Sequence, residues 1–78
     1  MTGTIVTWLA SRRYGFILPD VAGPEVFVHI TDLPPEILAL STPKGCHIQY
    51  ETATFNGRIK AVRITLVLPP VSSLGVRP

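Results

Sequence analysis

The chain has a single cysteine, Cys46, among 78 residues. No disulfide can form within it, so this small chain must be held by its own core. That cysteine usage fits a reducing compartment, and the chain is read as cytoplasmic. Charge is also scarce. Seven Lys and Arg face five Asp and Glu, for a net charge of +2. That bias is compatible with a polyanionic partner and does not by itself define one. No apolar run approaches the roughly 18 residues of a membrane span. The opening "MTGTIVTWLAS" lacks the basic start and continuous apolar core of a signal peptide. No membrane contact is expected.

The chemistry of catalysis is missing as well. There is no paired-carboxylate spacing, no Ser or Cys nucleophile motif and no glycine-rich phosphate loop, so no enzyme is expected. His29, His47 and Cys46 do not stand at the usual zinc spacings, and neither metal nor cofactor is expected. Cys46 reads as a small buried hydrophobe.

What the chain does have is 46% hydrophobic residues, which argues against global disorder, broken by six glycines and eight prolines. These punctuate five β-type runs. The runs are Thr4 to Leu9, Tyr14 to Leu18, Glu25 to Ile30, His47 to Thr54 and Arg58 to Leu68. Asn56-Gly57 between the last two is a hairpin signal, because both residues tolerate positive φ. Between the third and fourth runs, Pro35 followed by Glu36 predicts about one turn of helix, with Ile37, Leu38 and Leu40 folded onto the core. Five short strands with close turns predict an all-β fold, a small five-stranded antiparallel barrel spanning residues 1–68. The remaining 69–78, "PPVSSLGVRP", reads as a flexible proline-containing tail.

Alternation divides the second and third runs into two faces. Gly15 and Ile17, with Val26, Val28 and Ile30, form an aliphatic face suited to a core. Tyr14, Phe16 and Leu18, with Phe27 and His29, form the opposite face. In the last two runs Ile48, Tyr50 and Thr52, with Val62, Ile64 and Leu66, are expected to point inward. These aliphatics fill a barrel without help from the aromatics. The aromatics are therefore placed outside, as a surface on which unpaired bases can stack. Arg12, Arg13, Arg58 and Lys60 fall at the strand ends and loops around that surface, where cations attract phosphates. Taken singly, each of these cations also reads as a solvated charge, and Phe55 as an ordinary hairpin-tip residue. Trp8 breaks strict alternation with Ile5 and Val6, which allows a local bulge.

At this level of detail the chain resembles the cold shock domain family. "YGFI" followed by "VFVHI" is similar to the family's two ribonucleoprotein-type motifs, and the upstream "TIVTWL", with Trp8, to its first strand. "PKGCHIQYET" and "KAVRI" look like its fourth and fifth strands, so the likeness covers about residues 3 to 66. The resemblance implies an OB-type barrel that binds single-stranded RNA or DNA with little sequence preference, in proteins that act as RNA chaperones or regulators of transcription and translation. By position it implies base stacking at Trp8, Tyr14, Phe16, Phe27 and His29. Ile30 stands where many members have another aromatic. Arg12 or Arg13 takes the place of the basic residue before the aromatic strand, and Lys60 that of a polar residue opening the fifth.

The chain also departs from the family pattern. Thr7, Leu9 and Ala10 stand where lysine, phenylalanine and asparagine are usual. Arg13 stands at a customary glycine, and the link from Trp8 to Tyr14 is about one residue short. The same binding mode with lower affinity or a shorter footprint is expected, with Phe55 replacing one lost stacking surface. The alternative is a protein-interaction module, monomeric or weakly self-associating, in which the short first connection favours a strand-swapped homodimer.

Overall fold

In a computed structural model the described residues are 1–68. The expected tail from Pro69 onward lies outside them. Five strands run in the order β1 (Thr2–Leu9), β2 (Tyr14–Pro19), β3 (Val26–His29), β4 (His47–Phe55) and β5 (Arg58–Leu68). They close into a barrel in the spatial order β1-β2-β3-β5-β4, with β4 returning to β1. Four of the five ladders are antiparallel; the closure between β3 and β5 is parallel, through Phe27 and Lys60. A parallel pair needs a crossover, and the long stretch from Ile30 to Cys46 together with β4 supplies it.

The third run stops as a strand at His29. Ile30–Asp32 form a single 3-10 turn, and the expected helical turn follows at Pro35–Leu38. It buries Ile37, and Leu40 packs half-buried against the core, while Leu38 faces solvent. The core consists of Ile5, Ile17, Val28, Leu33, Ile37, Cys46, Ile48, Tyr50, Ala61 and Ile64. Burial pushes the Cys46 thiol and the Tyr50 hydroxyl above their ordinary pKa values.

Of three register shifts, one leaves Val67 extra near the end of β5, and the other two set which side chains enter that core. In β1, Ile5 pairs with Ile17 but Thr7 pairs with Phe16, so Val6 is an extra residue. In β5, Gln49 pairs with Thr65 but Glu51 with Val62, leaving Tyr50 opposite two residues. One of these two, Arg63, has φ 54°. An inserted residue reverses the alternation beyond it. Ala61 is therefore buried where Val62 was expected, and Val62 is only half-buried. Ile64 and Leu66 keep their inward places, whereas Thr52, expected inside, is exposed.

Candidate nucleic-acid interface

Strand pairing lays the outward side chains in rows across the barrel. Directly paired residues share a face. One row holds Leu9, Tyr14 and His29. The next holds Thr7, Phe16, Phe27, Lys60 and Ala53. A third, toward the hairpin tip, holds Arg58 and Phe55. Alternation in the sequence placed Tyr14, Phe16, Phe27 and His29 together on the outside, and the structure does the same. Their inward neighbours Gly15, Ile17 and Val28 are buried.

The rings form one connected surface. Tyr14 meets Phe16 edge-on with centroids 6.0 Å apart, and Phe27 at 5.2 Å with planes tilted 41°. Phe16 and Phe27 lie 6.1 Å apart, and Phe27 and His29 6.4 Å. Rings in such contacts hold one another in place while leaving part of each face open. All four residues are half-buried. A surface of this kind can take flat π-systems without first reorganising.

His29 has a fixed orientation. Its Nδ1 accepts the backbone N–H of Thr31 at 3.2 Å and lies 3.0 Å from the Thr31 hydroxyl, capping the 3-10 turn. With Nδ1 as acceptor, the neutral ring carries its proton on Nε2, which is the nitrogen free to donate to a ligand.

An open cleft of about 880 Å³ extends from this surface toward the β4–β5 hairpin. Tyr14, Phe16 and Phe27 line one side, and Phe55, Asn56, Arg58, Ile59 and Lys60 the other, with Glu25 at its edge. The hairpin turns at Asn56 and Gly57, with φ of 52° and 76°, as the Asn-Gly pair predicts. Phe55, just before the turn, is 62% exposed, and Lys60 Nζ lies 5.3 Å from its ring centroid. The same Nζ is 3.3 Å from Asp32 Oδ2.

The remaining predicted residues are not brought into the cleft. Beyond the Val6 bulge Trp8 pairs with Gly15 and packs half-buried against the core. A Cβ on Gly15 would collide with the Thr7 carbonyl and come within 2.7 Å of the Trp8 ring, so glycine is required there. Trp8 thus lies on the other side of the β1–β2 pair from Tyr14 and Phe16. Ile30 is half-buried and packs on the core. Arg12 and Arg13 are exposed in the β1–β2 turn, where both backbone amides bond to the Leu9 carbonyl. Arg13 has φ 63° there, the left-handed region that glycine occupies without strain. Of the residues lining the cleft, sequence reasoning left out Glu25, Asn56 and Ile59, and it also left out Asp32, the partner of Lys60. Asn56 had a signal, since the same dipeptide that fixes the turn puts it at the cleft; Asp32 had none, because its link to Lys60 exists only once the barrel closes.

The architecture is that of an OB-type barrel, a five-stranded closed sheet with an aromatic outer face. Within that class the family model described as the 'Cold-shock' DNA-binding domain matches residues 1–67, and the chain belongs to that family. The family is one of non-enzymatic nucleic-acid-binding domains. No curated protein matches the chain. Among the described residues no helix is long and apolar enough to cross a membrane.

Proposed function

We propose that the protein binds single-stranded RNA or DNA with little sequence preference, by stacking bases on Tyr14, Phe16, Phe27 and His29, and that it acts as an RNA chaperone or as a regulator of transcription or translation. The observation that carries this reading is the connected Tyr14–Phe16–Phe27 cluster on the outer face of strands whose inner face already fills the core. Stacking on an aromatic contributes about 1–3 kcal/mol per base and tolerates every base. Arg12, Arg13 and Arg58 attract the backbone. Trp8, on the reverse of the strand pair, and Ile30 pack against the core that supports this surface.

The test is titration of end-labelled oligo-dT and a U-rich RNA with the protein, read by fluorescence anisotropy at two salt concentrations. Saturable binding that weakens with salt is expected, with a slope of about 0.7 in log–log terms per phosphate neutralised. Two to four contacts give a slope of about 1.5 to 3. No binding up to high micromolar, or binding indifferent to salt, rejects the reading.

One observation favours the second reading, self-association by strand exchange: the short β1–β2 connection holds Arg13 in a strained conformation that an opened hinge relieves. A stable dimer by light scattering without oligonucleotide binding supports it.

A further inference from the structure

Lys60 is placed where a phosphate-binding cation is expected, yet its ammonium already has two partners. Asp32 Oδ2, 3.3 Å away, is shielded from solvent and has no hydrogen-bond partner of good geometry, so the lysine is what neutralises it. The two side chains are only 28% and 22% exposed. Removing either partner leaves a half-buried charge without compensation. On its other side the ammonium sits over the face of Phe55. Phe55 itself is mostly exposed, beside a two-residue turn, so little else holds its ring in place. The arrangement runs from the 3-10 turn through β5 to the hairpin tip, and it ends on an aromatic ring lining the same cleft as Tyr14, Phe16 and Phe27.

We propose that Phe55 forms a second stacking wall, facing the Tyr14–Phe16–Phe27 surface across the cleft, and that Lys60, anchored by Asp32, is a positioning residue that holds this wall rather than a contact to phosphate. The cleft then takes a nucleobase between the hairpin ring and the barrel surface. This rests on the proposed nucleic-acid binding and adds to it a defined place for one further base. It also accounts for the chain's economy of charge: one of its few cations is spent on an aromatic.

Lys60 as a phosphate contact and Lys60 as a positioning residue differ in sign. If Lys60 served phosphate, Asp32→Asn would release it and tighten binding. If Lys60 holds Phe55, Asp32→Asn loosens the wall and weakens binding. The experiment is titration of the intact chain with oligo-dT at several salt concentrations, for wild type, Phe55→Leu, Lys60→Met, Lys60→Arg and Asp32→Asn, each checked for its unfolding midpoint. Phe55→Leu is expected to lose about 5- to 150-fold in affinity, the range for one stacked base. Lys60→Met is expected to lose a similar factor with an unchanged salt slope, to add little on top of Phe55→Leu, and to be rescued by Lys60→Arg, which keeps a cation over the ring. Wild-type binding with Phe55→Leu unaffected overturns the second wall and leaves the binding surface standing. Tighter binding by Asp32→Asn, or a salt slope lowered by about 0.7 in Lys60→Met, overturns the positioning role. Absence of wild-type binding removes the nucleic-acid reading and this inference with it.

Discussion

The two sides of the β2–β3 pair are built from alternate residues of the same ten positions and have opposite tasks. Inside, Ile17 and Val28 are fully buried among Ile5, Ile48 and Ile64. Outside, Phe16 and Phe27 are half-buried and in contact chiefly with other rings. The inner side chains are aliphatic and the larger outer ones aromatic, the reverse of the usual expectation that the largest apolar groups go to the centre. A barrel this small is filled by aliphatic side chains, Cys46 and one tyrosine, with Trp8 packed half-buried against them, so Tyr14, Phe16 and Phe27 are left on the outer surface. Under the proposed function, stability and binding are thereby written on neighbouring residues of one strand with little overlap.

That separation can be broken most forcefully from the inside. Ile17→Ala should cost about 2–5 kcal/mol of stability, the usual loss for a large buried aliphatic, and in a domain this small that approaches the whole folding free energy. Chemical denaturation measures it. Its outer counterpart Phe27→Ala should lose about 1–3 kcal/mol of oligonucleotide binding while costing less stability than Ile17→Ala. Equal stability losses for the two variants would show that the outer rings are structural.

A smaller effect sharpens the comparison at the edge of the surface. Arg13 is held at φ 63°, and for a residue with a Cβ that conformation costs about 1 kcal/mol. Arg13→Gly should raise the unfolding midpoint by about 4–8 °C, the shift corresponding to 1 kcal/mol in a domain of this size. If Arg13 also meets a phosphate, the same variant lowers the salt slope of binding by about 0.7. Stability and affinity then move in opposite directions through one side chain.

The smallest effect lies away from the aromatic face. Asp20, at the end of β2, bonds His47 Nε2 at 2.7 Å, and this bond, with help from Thr2, lowers its carboxyl pKa below the ordinary 3.8. A carboxyl whose folded pKa is depressed contributes stability that is present above its unfolded pKa and lost as pH falls through the folded one. The stabilising contribution of Asp20 should therefore be complete above about pH 4 and fade below it, and Asp20→Asn should remove that part of the acid sensitivity, as unfolding measured across pH 2 to 6 would report. Oligonucleotide affinity at neutral pH should be unchanged by the variant, because Asp20 does not line the aromatic cleft.

Much of this arrangement is legible in the sequence because strands obey a period of two. The outward set Tyr14, Phe16, Phe27 and His29 follows from that period and from the presence of enough aliphatics elsewhere. The Asn56-Gly57 turn follows from the backbone freedom of those two residues. The period fails where an extra residue enters a strand. The break in alternation around Val6 could be read in advance; the bulge at Arg63 could not, since arginine carries no signal for a left-handed backbone. Val62 is displaced from the core in consequence, while Thr52 stays paired with the buried Ala61 and is exposed without any break in its own strand. Trp8, implied as a stacking residue by resemblance, lies across Gly15 because the Val6 bulge turns it away from Tyr14. The Asp32–Lys60 pair was illegible for a different reason. It joins elements far apart in sequence through the parallel closure, and local pattern carries no information about which distant strands meet.

That closure has a kinetic meaning. The aromatic patch on β2 and β3 belongs to a meander of near neighbours in the chain, whereas Phe27 meets Lys60 only when β5 arrives after a detour of more than thirty residues. Contacts between distant segments are entropically costly to form and come late in folding. Stopped-flow refolding should therefore see the β2–β3 patch and the β4–β5 hairpin form first, with the cleft between them completed only when the barrel closes.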